Sequence, residues 1–267
     1  MNYYLQDSVF LKKYDISYIL NKVYYQRDKI GSGTYCDTYK LNNTHVIKFY
    51  DTNNFIDDSN CFCNEIQNEI EFIKKFNNTN LIAKSYIILE CNKRLLIIQE
   101  YAKKVSYKFY DLYCFIKKID YFIDLLKIHL YFYSKNYVNL DIKYANIGYV
   151  NNNLKLFDFN LIIEINKTKK LDLFPSYKYY YLHPVISVLP KYILSYSIGI
   201  IILESFCKNL ENNRYLYKPK DIMNDKFSLL YLKKKVLGVK LSKIIKDCFE
   251  CIKCPYSLLN DFESLKL

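Results

Sequence analysis

The sequence predicts an α+β chain in two lobes: a small five-stranded β lobe carrying one helix, then a larger, mainly α-helical lobe. Three observations predict it. Short runs rich in β-branched and aromatic residues, separated by turn residues, recur up to residue 100. Beyond that the apolar residues move to helical spacing and keep it, apart from short strands near 147 to 157. The change falls near residues 100 to 106, which gives a lead-in over 1–27, a small lobe over 28–102 and a large lobe over 103–267.

Residues 1–29 mix apolar pairs with Lys12, Lys13 and Asp15, and read as a short helix or an irregular lead-in. Residues 30–40 read as strand, tight turn, strand, around Gly31 and Gly33. The chain has only five glycines, so two of them in one turn are informative. Residues 45–50 alternate and form a strand with Lys48 in its middle. Residues 51–60 are polar and form a loop. Over 65–76, Ile66, Ile70, Ile73 and Phe76 fall near helical spacing, and the polar run 77–80 stops the helix. Glu69 beside Ile70 either turns inward to pair with a buried cation or stays solvated.

Residues 81–89 and 94–100 read as two strands joined by a turn at Cys91-Asn92-Lys93. A helix begins over 111–116, and a longer one over 119–135 carries Phe122, Leu125, Leu126, His129, Leu130 and Tyr133 on one stripe. His129 on that stripe reads as a packing residue. Residues 147–150 and 154–157 form a hairpin around Asn151-Asn152-Asn153. Residues 160–184 are irregular, as a substrate-facing loop is. Their tyrosine-rich part, 177–181, suits either core packing or a docking surface. A buried helix over 192–206 and amphipathic helices over 226–236 and 240–252 complete the chain.

The formal net charge is +12, nearly all from lysine, with arginine only at 27, 94 and 214. This describes either a solvated lysine surface or a patch for an acidic partner. Scarce arginine, the preferred bidentate reader of bases, argues against sequence-specific nucleic-acid recognition. Nine scattered cysteines and no apolar leader after Met1 point to a reducing, intracellular setting in the cytoplasm. Cys248, Cys251 and Cys254 are spaced like part of a metal site, but a fourth ligand is missing and the segment reads as an amphipathic helix. The most apolar run, 192–203, falls short of the ~20 residues that cross a bilayer, so no membrane span is expected.

The chemistry concentrates in two short segments. The first, 139–146, holds Asp141, Lys143 and Asn146. The second is Asp158-Phe159-Asn160, on the far side of the hairpin. An acid that can take a proton, a cation, and two oxygen ligands for a metal are the equipment for moving a phosphoryl group.

Six segments, in order, resemble the eukaryotic-type protein kinase family over about residues 28 to 260. Gly31-Ser32-Gly33-Thr34-Tyr35-Cys36 through Lys40 resembles the glycine-rich loop, with Cys36 in place of the third glycine. His45-Val46-Ile47-Lys48 resembles the strand that carries the phosphate-pairing lysine. The helix with Glu69 resembles the one whose glutamate holds that lysine. Residues 97–102, ending in Glu100-Tyr101-Ala102, resemble the hinge that reads adenine through its backbone. Asp141 to Asn146 resembles the catalytic loop, and Asp158-Phe159-Asn160 the D-F-G segment. His183-Pro184 and the start of the buried helix fit later landmarks of the same family.

The resemblance implies a bilobal kinase fold and transfer of the γ-phosphoryl group of ATP, with Mg²⁺, to serine or threonine hydroxyls of protein substrates. It implies that Ile30, Gly31, Ser32, Gly33, Thr34 and Thr38 cover the nucleotide. It implies that Lys48, oriented by Glu69, pairs the α- and β-phosphates, and that Glu100, Tyr101 and Ala102 hold the base. Asn146 and Asp158 are the implied metal ligands, and Asp141 and Lys143 the implied catalytic pair. A lysine two residues after the catalytic aspartate is the serine/threonine pattern.

The departures are specific. Asn139 and Leu140 stand where the family has His-Arg, Asn160 replaces a glycine, Val185 a glutamate and Leu194 an aspartate. Without that arginine, activity should not need a phosphorylated activation segment. Such losses fit a divergent, fast-evolving member, of viral or parasite origin, and a viral one would act in the host cytoplasm. The alternatives are a pseudokinase that scaffolds partners, a small-molecule phosphotransferase of the aminoglycoside-kinase kind, and a nucleic-acid-binding module. Intact Lys48, Glu69, Asp141, Asn146 and Asp158 favour an active enzyme.

Overall fold

The structure, a computed structural model, describes residues 2–25, 27–33, 36–51, 64–91, 94–104, 113–165, 194–199, 201–202, 238–249 and 253–266. The chain divides into two compact units. One comprises Met1–Lys104 with Asn146–Asn160, the other Val105–Ala145 with Leu161–Leu267.

The first unit is built on an antiparallel sheet of six strands rather than five. Its strands are β1 (Asn2–Gln6), β2 (Lys29–Ser32), β3 (Asp37–Lys40), β4 (His45–Asp51), β5 (Ser85–Cys91) and β6 (Arg94–Glu100), in the order β1-β5-β6-β4-β3-β2. The unexpected strand is β1, which pairs along the edge of β5. Two helices follow it where a lead-in was expected: α1 (Ser8–Lys13) and α2 (Ile16–Tyr24). Each starts on an aspartate. The Asp7 carboxylate accepts the N–H groups of Val9 and Phe10, and Asp15 accepts that of Ser17, so helix ends are satisfied locally.

Strand parity gives the sheet two unlike faces. Phe10, Ile19 and Val23 of α1 and α2 pack with Tyr39, Ile47, Ile87, Leu89, Leu96 and Ile98 in one apolar core. Helix α3 (Asn64–Phe76) buries Ile66, Glu69, Ile70, Phe72, Ile73 and Phe76. Its Glu69 meets the neighbours of those core strand residues, Lys48 and Tyr50, on the other face.

The strand expected from residue 81 begins at Ser85 instead. The Asn77 side chain captures both the N–H and the C=O of Ser85, and the chain before it turns away to bridge Leu156. There the Ala83 N–H donates to Leu156 at 2.7 Å. Leu156 ends the hairpin of β9 (Ile147–Val150) and β10 (Asn153–Leu156). Asn151 and Asn152, both at positive φ, make its two-residue turn. A short β7 (Lys103–Lys104) lies against β9. That approach requires glycine at 148, where a Cβ would sit 2.8 Å from the Lys103 carbonyl oxygen and 3.0 Å from the Ala102 Cβ.

In the second unit one helix, α4 (Tyr113–Ser134), runs where two were expected. Phe122, Leu125, Leu126, His129 and Leu130 are buried along it. Asn136, at positive φ, turns the chain into β8 (Tyr137–Asn139). This strand pairs with β11 (Ile162–Glu164), so the start of the segment expected to be irregular is extended. Residues 194–199 and 201–202 are helical and buried. Then come α5 (Gly238–Phe249) and α6 (Pro255–Glu263), the second unforeseen. Helix α6 packs on α4 through Phe262 and Phe122, with Lys127–Glu263 and Asp120–Lys266 ion pairs beside them.

Three cysteines differ in setting: Cys248 is buried, Cys254 exposed and Cys36 half-buried. The tyrosine-rich segment 177–181, His183-Pro184, Val185 and the helix expected over 226–236 lie outside the described residues, as do Thr34 and Cys251. Among the described residues no helix is long and apolar enough to cross a membrane.

Candidate active site

Strand register builds the site in the first unit. Gly31 stands opposite Thr38, Thr38 opposite Lys48, and Lys48 opposite Ile97, across four adjacent strands. Residues directly opposite share a face, as do residues two apart, so Thr38, Lys48 and Tyr50 project together. Ile47 and Phe49, one position out of step, turn to the apolar core under α1 and α2.

The Lys48 side chain is 5% exposed and that of Glu69 is 0% exposed. The Lys48 ammonium donates to Glu69 Oε1 at 2.5 Å, and the Tyr50 hydroxyl donates to Glu69 Oε2 at 2.5 Å. Lys48 also reaches Asp158 Oδ1 at 3.4 Å. Burial alone would lower the Lys48 pKa, but the Asp158 and Glu69 carboxylates outweigh it and raise it, holding the ammonium charged. Burial pushes the Glu69 carboxyl up, against the pull of Lys48 and the two hydrogen bonds. A buried carboxylate without partners costs several kcal/mol, so the two donors are what allow Glu69 to sit there. Burial also pushes the nearby Cys36 thiol up to about 12, which keeps it protonated at neutral pH.

Asp158 differs from this pair. Its side chain is 30% exposed, against 5% for Lys48 and 0% for Glu69. Asn160 Nδ2 donates to Asp158 Oδ1 at 3.1 Å, and Phe159 between them is buried against Phe72 of α3, ring centroids 5.0 Å apart. The Phe157 N–H donates to the Asn146 carbonyl at 3.1 Å, which closes the hairpin and sets the Asn146 and Asp158 backbones at its open end.

The glycine turn and the hinge segment also lie in this unit. Ser32 Oγ donates to Asp37 Oδ1 at 2.6 Å across the β2–β3 hairpin, and the Gly33 N–H to the Cys36 carbonyl at 2.8 Å. Ile30 is exposed. A Cβ at Gly31 or Gly33 would meet only ordinary contacts, 3.9 Å from Thr38 and 3.5 Å from Cys36. The hairpin itself therefore does not demand glycine at either place. In the hinge, the Glu100 N–H is spent on the Lys84 carbonyl and the Tyr101 N–H on Thr44, both at 2.8 Å. The Glu100 carboxylate receives Lys155 at 2.7 Å and the Lys84 N–H at 2.9 Å. Ala102 is buried beside Gly148.

Asp141 and Lys143 belong to the second unit. They are ion-paired at 2.6 Å. The Asp141 N–H donates to Asn139 Oδ1 at 2.8 Å, and the Leu140 N–H to the Leu161 carbonyl at 2.9 Å. Asn139 thus shapes the backbone on which Asp141 sits, and Leu140 is buried.

The structure brings together Lys48, Glu69 and Asp158, and separately Asp141 and Lys143. Two contributors, Tyr50 and Lys155, are not singled out by the sequence, and Asn139, a departure there, gains a role as acceptor for the Asp141 N–H. Parity could have found Tyr50, since the second residue after Lys48 in one strand shares its face. Lys155 and Asn139 carry no such signal, because their partners depend on loop paths.

The protein kinase domain family model matches residues 24–250. A protein of Acanthamoeba polyphaga mimivirus, named provisionally as a serine/threonine-protein kinase, is 29% identical over 161 residues. The match covers 55% of this chain and 24% of the mimivirus protein, so it spans about a quarter of that relative's length. With the family model spanning most of the sequence, the chain belongs to the protein kinase domain family.

Proposed function

We propose that the chain is an active serine/threonine protein kinase, which transfers the γ-phosphoryl group of Mg-ATP to hydroxyls of protein substrates. The observation that carries this reading is the buried Lys48–Glu69 pair with the more exposed Asp158 beside it. A lysine fixed by a sealed carboxylate is a preorganised cation, ready for phosphate without reorganisation.

In this reading residues 28–102 form the ATP-binding lobe and residues 103–267 the catalytic and substrate-binding lobe. Ile30, Gly31, Ser32, Gly33, Thr34 and Thr38 cover the nucleotide. Glycines that the hairpin does not need suit a backbone that approaches phosphate closely. Lys48 neutralises the α- and β-phosphates. In the hinge, the Glu100 and Tyr101 N–H groups are taken by the Lys84 and Thr44 carbonyls, and this reading gives the base contact to the segment ending in Ala102. Asp158 and Asn146 would hold the metal, and both offer the hard oxygen donors that Mg²⁺ takes. Magnesium, when bound, supplies charge neutralisation across the phosphate oxygens. Asp141 orients the substrate hydroxyl and takes its proton, and Lys143 offsets charge on the transferring group.

The lysine-rich surface suits an acidic partner, and low arginine argues against sequence-specific nucleic acid. The cytoplasm, of the host for a viral protein, is the compartment that free cysteines fit. The test is labelling of casein, a basic protein and the kinase itself from γ-labelled ATP. We expect label on serine and threonine with the wild type, and a loss on the order of a thousandfold with Asp141→Asn. Equal labelling by both forms would overturn the reading.

A further inference from the structure

Helix α3 is fastened to the sheet by more than the lysine. Glu69 is the one carboxylate that α3 buries, and both of its oxygens are taken, Oε1 by Lys48 and Oε2 by Tyr50, each at 2.5 Å. Tyr50 is itself 0% exposed. The two donors stand two residues apart on β4, so one strand face presents both hydrogen bonds to one side chain on the helix. Two donors at fixed spacing set the direction of the carboxylate as well as its distance.

We propose that Tyr50 is a positioning residue, a latch that holds Glu69, and with it α3, in the one placement where Glu69 orients Lys48. The proposal rests on the kinase reading and adds a regulatory consequence to it. A helix held by a built-in latch does not need a later modification to bring its glutamate to the lysine. This agrees with Asn139 and Leu140 standing where a phosphate-anchoring His-Arg pair is expected. Among the described residues, the charged and titratable groups around Glu69 are Lys48 and Tyr50 from β4, Cys36 from before β3 and Asp158 after β10. Lys48 and Tyr50 favour ionised Glu69, while Asp158 and burial oppose it. Loss of the hydroxyl therefore moves Glu69 toward its protonated form.

The experiment compares wild type with Tyr50→Phe, which keeps the ring and removes one oxygen. Amide hydrogen exchange over residues 64–76, without nucleotide, should quicken about tenfold or more, the scale of one buried hydrogen bond to a charged group. In phosphoryl-transfer assays the acid limb of the pH profile should move to higher pH, and KM for ATP should rise more than kcat falls. Thermal melting checks that the variant folds. Unchanged exchange over 64–76 with an unchanged acid limb would overturn the latch. If the wild type transfers no phosphate, the kinase reading fails, and the exchange measurement still decides the latch alone.

Discussion

The two faces of the six-stranded sheet are made from the same strands and do opposite work. On one face Ile47, Ile98 and Leu96 meet Phe10, Ile19 and Val23, and everything in contact is apolar or aromatic. On the other, one residue along the same β4, Lys48 and Tyr50 meet a carboxylate from which water is excluded. The apolar face gains stability from area removed from water. The charged face costs desolvation, offset by short hydrogen bonds, and returns a cation that is held in place. A step of one residue separates the apolar core from the buried Lys48–Glu69 pair, so a one-residue slip of β4 would exchange the two faces.

Breaking the charged face should have the largest effect. Lys48→Met should lower phosphoryl transfer by a hundredfold or more, on the order of a lost preorganised charge. It should also destabilise the fold by about 3 kcal/mol, because Glu69 is left buried with Tyr50 alone. Chemical denaturation beside a transfer assay checks both. Breaking the apolar face should act on stability only. Ile47→Ala should cost about 2–5 kcal/mol by denaturation, with kcat per folded molecule unchanged.

Gly148→Ala tests where the two functions meet. The added Cβ would strike the Lys103 carbonyl and Ala102, and the backbone must shift, at a cost of about 1–3 kcal/mol. If Ala102 holds the base as proposed, KM for ATP should rise.

An effect absent at neutral pH sharpens the contrast between a buried ionisable group with both partners and one whose Nε2 lacks one. His129 is buried on α4 and its Nε2 has no hydrogen-bond partner among the described residues. Burial lowers its pKa from 6.5 to about 3. The unfolded chain thus takes up a proton near pH 6.5 that the folded chain refuses until about pH 3. The folded state is at no disadvantage above pH 6.5, and stability falls as pH drops through the window, by up to ~1.4 kcal/mol per unit. His129→Leu should flatten that slope in denaturation curves between about pH 6 and pH 4, inside the window.

Much of this was legible in the sequence, for a physical reason. The strand with Lys48, the helix with Glu69 and the hairpin before Asp158 are each specified by local alternation, helical spacing or turn chemistry. The inward turn of Glu69 stayed open, because one helix position does not say what lies opposite. Strand β1 was hidden because its pairing with β5 is non-local and its residues are only half-buried or exposed. Helices α1 and α2 did carry signals, Asp7 and Asp15 at their starts, but their six and nine residues are too short for periodicity to be decisive. Pairing of β8 with β11 was missed because three-residue strands carry almost no pattern.

The central claim is that chemistry lies on the Lys48 face and not on the Ile47 face. The direct measurement is phosphoryl transfer from γ-labelled ATP to a protein acceptor by wild type, Lys48→Met and Ile47→Ala, each normalised to its folded fraction. The account predicts transfer by wild type and Ile47→Ala at equal rates, with Lys48→Met at background. Transfer by Lys48→Met at the wild-type rate would contradict it.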